Sequence, residues 1–167
     1  MVWYALLIAA VAVERIAELV VSQRNLSWSR ARGGVEFGAR HYPAMVALHT
    51  ALLVGCLLEA FHRRFVPALG WPMLAVVLAA QGLRWWCIAT LGRQWNTRVV
   101  VVPGAARIAK GPYRFLPHPN YVAVVAEGVA LPLVHSASVT ALVFLVLNAA
   151  LLRTRIRVEN AALASLT

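Results

Sequence analysis

Residues 72–91 read PMLAVVLAAQGLRWWCIATL, twenty residues with Arg84 as their single charge. A helix needs about twenty apolar residues to cross the hydrocarbon of a bilayer, and this run supplies them. Two earlier runs have the same character, Val2–Val21 and Ala44–Phe61, although the first carries Glu14, Arg15 and Glu18. A later stretch, Asn120–Leu152, is interrupted by Pro132 and by His135-Ser136-Ala137-Ser138. Proline and a polar turn end helices, so this stretch reads as two shorter helices, roughly 120–134 and 138–152, forming a hairpin. The sequence therefore predicts an all-α integral membrane protein of about five transmembrane helices, the last two shorter, in one domain over 1–167.

Composition agrees. The chain is 61% hydrophobic and 13% charged, where a soluble domain carries about 25% charged residues. Its mean hydropathy is +0.71. The net charge of +10 is not a nucleic-acid-binding stripe, because the basic residues fall between the apolar runs, where membrane proteins place cytoplasmic loops. Twelve lie in the 22–42 loop, the 92–119 loop and the tail after residue 152, against Arg63 and Arg64 on the other side. That imbalance predicts an N-terminus outside, with a cytoplasmic loop and C-terminal tail. Fifteen of the sixteen basic residues are Arg and there is no Asp, which suggests GC-rich coding and hence a bacterial inner membrane. Cys56 and Cys87 lie inside apolar runs without C-x-x-C spacing, so they read as small buried hydrophobes, with no metal site. Met1-Val2-Trp3-Tyr4 lacks a basic start and a cleavage site, so the first run reads as a retained helix.

Chemistry-bearing residues concentrate near the end of the chain. Gly111-Pro112-Tyr113-Arg114-Phe115-Leu116-Pro117-His118-Pro119-Asn120-Tyr121 holds three prolines. They stiffen the backbone and lower the entropy lost when a ligand is held. Pro119 suits the first turn of helix 4, whose free N–H groups suit a carboxylate, with His118 and Tyr121 flanking that mouth. A stiff loop and a proline-rich helix start are the plainer reading. Arg153-Thr154-Arg155-Ile156-Arg157-Val158-Glu159-Asn160 leaves the last helix. Its arginines read as topology anchors, while Glu159 can bind a cation or pair with Arg. Glu14 and Glu18 lie four apart on one helix face, and Glu127 sits within helix 4. Charges inside a span face the bundle interior, where Arg15 or Arg84 can neutralise them. These residues read either as a structural ion network or as substrate-facing groups.

Gly-Pro-Tyr-Arg-x-x-x-His-Pro-x-Tyr, from Gly111 to Tyr121, is followed by Arg-Ile-x-x-Glu, from Arg155 to Glu159. The two motifs, in this order and bridged by a hairpin, resemble the isoprenylcysteine carboxyl methyltransferase family over about 92–164. The resemblance implies that both stretches close over S-adenosyl-L-methionine. It further implies cofactor contact for His118, Tyr121 and Glu159, at the helix start made by Pro119. Tyr113 and Arg114 would be pocket walls, and Arg155 would lie near the cofactor or the substrate head group. Two positions depart from the family pattern: Pro117 replaces the usual Arg before His-Pro, and Glu159-Asn160 replaces a paired Glu-Glu. The N-terminal half, with Glu14-Arg15-x-x-Glu18, Gly33-Gly34-x-Glu36 and His41-Tyr42-Pro43-x-Met45, resembles a bacterial branch. Its members methylate long-chain alkylpyrones or alkylresorcinols and are associated with type III polyketide synthases.

On this resemblance, 1–91 is a three-helix substrate-side half and 92–167 a cofactor-binding half. The expected function is S-adenosylmethionine-dependent O-methylation of a lipophilic small molecule, most readily an alkylpyrone or alkylresorcinol. Carboxyl methylation of isoprenylcysteine is a second reading. A non-enzymatic scaffold or ion-passage protein is a third, which cofactor binding discriminates. Methyl transfer from a sulfonium needs alignment and desolvation more than covalent help. A phenolic acceptor, with a pKa of about 10, would gain from a general base. Arg155, Glu127, Glu18 and His41 are the catalytic candidates, with His118 a further candidate base, and the sequence does not choose among them. No G-x-G-x-x-G run is present, so a Rossmann-type site is not expected.

Overall fold

The computed structural model describes residues 1–164. Among them are five α-helices: α1 (Val2–Arg30), α2 (Tyr42–Ala60), α3 (Pro67–Leu91), α4 (Pro119–Leu133) and α5 (Ser138–Ala164). Three helical stretches are long and apolar enough to cross a membrane: Ala39–Ala60, Pro67–Gln94 and Ser138–Ala164. The other two differ for separate reasons: α1 carries Glu14, Arg15 and Glu18 mid-helix, and α4 has only 15 residues.

Two helices outrun their expected ends. The first continues to Arg30 and the last to Ala164. Neither 22–30 nor 153–164 contains Gly or Pro, so nothing local stops the helix when it leaves apolar surroundings. The 22–42 loop therefore begins only after Arg30. A two-stranded antiparallel pair was also unforeseen: β1 (Val35–Phe37) against β2 (Val99–Val101), in the register Val35↔Val101, Glu36↔Val100 and Phe37↔Val99.

Helix α4 packs against both α3 and α5, and α2 lies along α5. The α4–α5 contact is close because Gly128 meets the ring of Phe144. A Cβ at that position would lie 1.9 Å from a ring carbon. Pro119 occupies the first turn of α4, where its missing N–H costs nothing. The start of α5 is capped from another helix. Glu59 of α2 accepts the backbone N–H groups of Val139 and Thr140 at 3.1 and 2.8 Å and the Thr140 hydroxyl at 2.9 Å. A carboxylate there meets both the unpaired N–H groups and the positive end of the helix dipole.

The core joins Tyr4, Leu52, Cys56, Val77, Leu131 and Phe144, and the Tyr4 hydroxyl donates to the Leu131 carbonyl at 3.0 Å. Both cysteines are free and buried, as expected. Outward-facing side chains such as Leu6, Leu58, Leu78, Leu142 and Val146 are exposed and apolar. That surface suits lipid rather than water.

Candidate functional site

The site forms where α1 and α3 end and α4 begins. Gly92 ends α3 with φ +52°, a backbone state favourable only to glycine. The turn that follows is held by the end of α1. Asn25 donates to the carbonyls of Gly92 (3.1 Å) and Trp95 (2.7 Å). The Ser22 hydroxyl donates to Asn96 Oδ1 at 2.7 Å and accepts the Thr97 N–H at 3.0 Å. Trp95 is thereby buried and Thr97 presents its carbonyl inward. From the far side, Glu36 of β1 pairs with Arg98 at 2.6 Å, and Arg98 lies over the Tyr42 ring at 4.1 Å.

Four chemistry-bearing side chains meet at this turn. Arg155 and Glu159 lie one turn apart on α5 and face Tyr121 of α4. The Tyr121 hydroxyl donates to Glu159 and accepts from Arg155 Nε at 3.0 Å. Arg155 also donates to the Thr97 carbonyl at 2.5 Å and to Met45 Sδ at 2.6 Å. Its guanidinium is therefore fixed from three other elements. The His118 ring stacks on Tyr121 at 5.2 Å, with Nδ1 3.7 Å from Glu159.

Two cavities share this cluster as a wall. One, of about 120 Å³, is the more polar and opens among Arg98, Tyr113, His118 and Glu159, with Val99, Val100 and Val101 also in its wall. The other, of about 170 Å³, runs between the helices past Val46, Leu53, Val124 and Leu151 to Arg15, Glu18 and Arg84. Trp95, Asn120, Tyr121 and Arg155 border both. On that shared wall, Trp95 Nε1 and Asn120 Oδ1 are buried without a hydrogen-bond partner. Buried polar atoms normally have partners, and these two, one donor and one acceptor, have none.

A model of the isoprenylcysteine carboxyl methyltransferase (ICMT) family matches residues 73–165, more than half of the chain. The chain belongs to this family. Its similarity to two bacterial relatives extends further. The uncharacterized protein YpbQ of Bacillus subtilis (strain 168) is 39% identical over 159 residues, covering 95% of each chain. An uncharacterized protein of Haemophilus influenzae is 24% identical over 163 residues, covering 95% of this chain and 93% of that one. No solved structure matches significantly. With its apolar helices, the chain is an integral membrane protein of a family of methyltransferases that use S-adenosylmethionine.

The residues singled out by the ICMT motifs are distributed as follows. His118, Tyr121, Glu159 and Tyr113 line the more polar cavity, and Pro119 is buried at the start of α4. Burial, and then the neighbouring Cys87, pushes the Tyr113 hydroxyl up, so it stays a neutral O–H at physiological pH. Arg114 is exposed, its guanidinium 5.8 Å from the Phe115 ring, and lines neither cavity. The guanidinium within the cluster is that of Arg155. Asn160, which stands where the family repeats its Glu, is exposed, leaving Glu159 as the carboxylate of the mouth.

His41 and Glu18 line the apolar cavity, whereas Glu127 lies below it in an ion network. Arg84 pairs with Glu127, and Arg15 lies 2.9 Å from Glu18 and 3.5 Å from both Glu127 and Glu14. Gln81 and Trp85 donate to Glu14 as well. Both Arg15 and Arg84 thus neutralise the buried glutamates.

Sequence reasoning passed over Asn120, Thr97 and Asn148, and read Trp95 as interfacial or core packing. Asn120 sat within the quoted motif as an unassigned position. Asn148 was detectable as a lone amide in an apolar run.

Proposed function

We propose that the chain is an S-adenosylmethionine-dependent O-methyltransferase for a lipophilic acceptor, with a long-chain alkylpyrone or alkylresorcinol as the favoured class. One observation carries this reading: a cavity of mixed lining that holds Glu159, His118 and Arg98 and a largely apolar cavity meet at a single wall, formed by Trp95, Asn120, Tyr121 and Arg155. A charged cofactor and a lipid acceptor need those two environments side by side.

The more polar cavity fits the cofactor. Glu159 offers a carboxylate to its ammonium group, His118 and Tyr121 offer stacked ring surfaces, and the unpaired Trp95 Nε1 and Asn120 Oδ1 offer a donor and an acceptor. When bound, S-adenosylmethionine supplies an electrophilic methyl group. The residues of this chain do the rest. Arg155, held by Tyr121, Thr97 and Met45, attracts and orients the acceptor oxygen. The apolar walls exclude water, which strengthens that attraction and favours alignment. His41 lines the acceptor side near Arg155 and is the candidate to take a proton from a neutral hydroxyl, while Glu18 lies at the cavity's other end.

In the same reading all five helices span the bacterial inner membrane, with the N-terminus outside and the mouth and tail in the cytoplasm. Residues 92–164 supply all but Leu91 of the lining of the cavity assigned to the cofactor, while 1–91 supply about half of the lining on the acceptor side. A type III polyketide synthase would be the functional neighbour that makes such acceptors.

The test uses membranes containing the protein, labelled S-adenosylmethionine and a long-chain alkylpyrone. A methylated pyrone is expected. Absence of both product and S-adenosylhomocysteine binding overturns the reading. Methylation of a prenylated cysteine carboxylate in place of the pyrone replaces the acceptor class.

A further inference from the structure

Asn148 lies on α5 seven residues before Arg155 and is 4% exposed. It lines the apolar cavity, yet its Nδ2 has no hydrogen-bond partner. One more donor bordering that cavity is unpaired, Arg15 Nε, while Arg84 Nε and Glu18 Oε1 face each other as an ion pair at 3.6 Å. His49 borders the same region and packs edge-on to Phe144, one turn from Asn148 on α5. The cavity thus has a second polar pole, separated from the first by Val124, Leu151 and Leu152. Seven residues of helix place the poles on the order of 10 Å apart.

An alkyl tail satisfies none of these donors. A buried amide left unpaired costs free energy, whereas a ligand oxygen placed against it recovers a hydrogen bond. The charge nearby decides which oxygen. Glu14, Glu18 and Glu127 outnumber Arg15 and Arg84 by one, so an anionic ligand group would add uncompensated charge inside hydrocarbon. A neutral oxygen carries no such penalty.

We propose that Asn148 reads a second, neutral oxygen on the methyl acceptor, a carbonyl or hydroxyl on its chain about six to ten bonds from the methylated oxygen. This rests on the apolar cavity being the acceptor site. The spacing follows from the separation of the poles, since an extended chain advances about 1.2 Å per bond. The acceptor is then an oxygenated lipid, held at both ends, rather than a head group with a plain tail.

The experiment compares 4-hydroxy-6-alkyl-2-pyrones of one chain length, either fully saturated or carrying a single oxo group at successive positions. Binding to purified, S-adenosylhomocysteine-loaded protein in detergent is measured by calorimetry. The best oxo compound is expected to bind about fivefold to tenfold more tightly than the saturated one, the worth of one neutral hydrogen bond. In Asn148→Leu that preference falls to about one, while the saturated compound and S-adenosylhomocysteine still bind. The wild-type comparison stands even if the variant fails to fold. Equal binding of saturated and oxo compounds overturns the inference and leaves the acceptor cavity in place. Binding of neither, with S-adenosylhomocysteine bound, overturns the acceptor reading and this inference together.

Discussion

The mouth cluster and the buried network are made of the same parts, arginine and glutamate on facing helices, yet they differ in what they leave over. Below, Arg84 and Arg15 are shared among Glu14, Glu18 and Glu127, and Gln81 and Trp85 fill in around Glu14. Above, Arg155 and Glu159 both engage Tyr121, but Glu159 stays 31% exposed on its side chain and faces a cavity. The network sealed between helices is placed to hold them together, and the cluster that opens on a cavity is placed to meet a ligand.

Removing one arginine from the network tests the first half of that contrast and carries the largest effect. Arg84→Leu leaves Glu127 and Glu18 with Arg15 alone, at a cost of about 3–5 kcal/mol for an uncompensated buried charge. Folded yield and thermal midpoint in detergent should fall sharply, and adding Glu127→Leu should restore most of the loss. A stable Arg84→Leu protein that has lost only methyl transfer would assign the network to chemistry instead.

Glu159→Gln tests the other half. S-adenosylhomocysteine should bind at least tenfold more weakly, as expected for loss of a charge-assisted contact of about 1.5–3 kcal/mol. The unfolding midpoint should barely move. Unchanged binding together with a large loss of stability would make the mouth cluster structural.

The smallest effect belongs to the strand pair. Glu36→Gln removes the contacts to Arg98 and Arg30. A partly exposed pair contributes about 1 kcal/mol or less. A slight fall in midpoint is expected, with cofactor affinity within about threefold. A larger loss of affinity would mean that the strands shape the mouth more than the contrast allows.

The helices were legible in the sequence because a bilayer demands long apolar runs, and 44–61 and 72–91 supply them plainly. The polar extensions of α1 and α5 were not, because a helix leaving hydrocarbon keeps no apolar period to read. The three-residue strands are too short and too far apart in sequence to announce their pairing. At the site, His118, Tyr121, Arg155 and Glu159 stood out through two motifs that resemble those of the family. The role of Trp95 depends on its burial beneath a turn that α1 holds. Asn148 matters through the missing partner of its amide, which only the packed helices reveal.

The grip of Ser22 and Asn25 on the 92–97 turn bears on how the protein can be divided. Those two side chains lie before the segment 73–165 that the family model matches, yet they set the conformation that presents Trp95 and Thr97. The matched segment therefore lacks the two side chains that hold its own 92–97 turn. A chimera that joined this segment to the first two helices of another protein would inherit the motifs intact, and its binding would depend on whether the foreign first helix brought a hydroxyl and an amide three residues apart to the same turn.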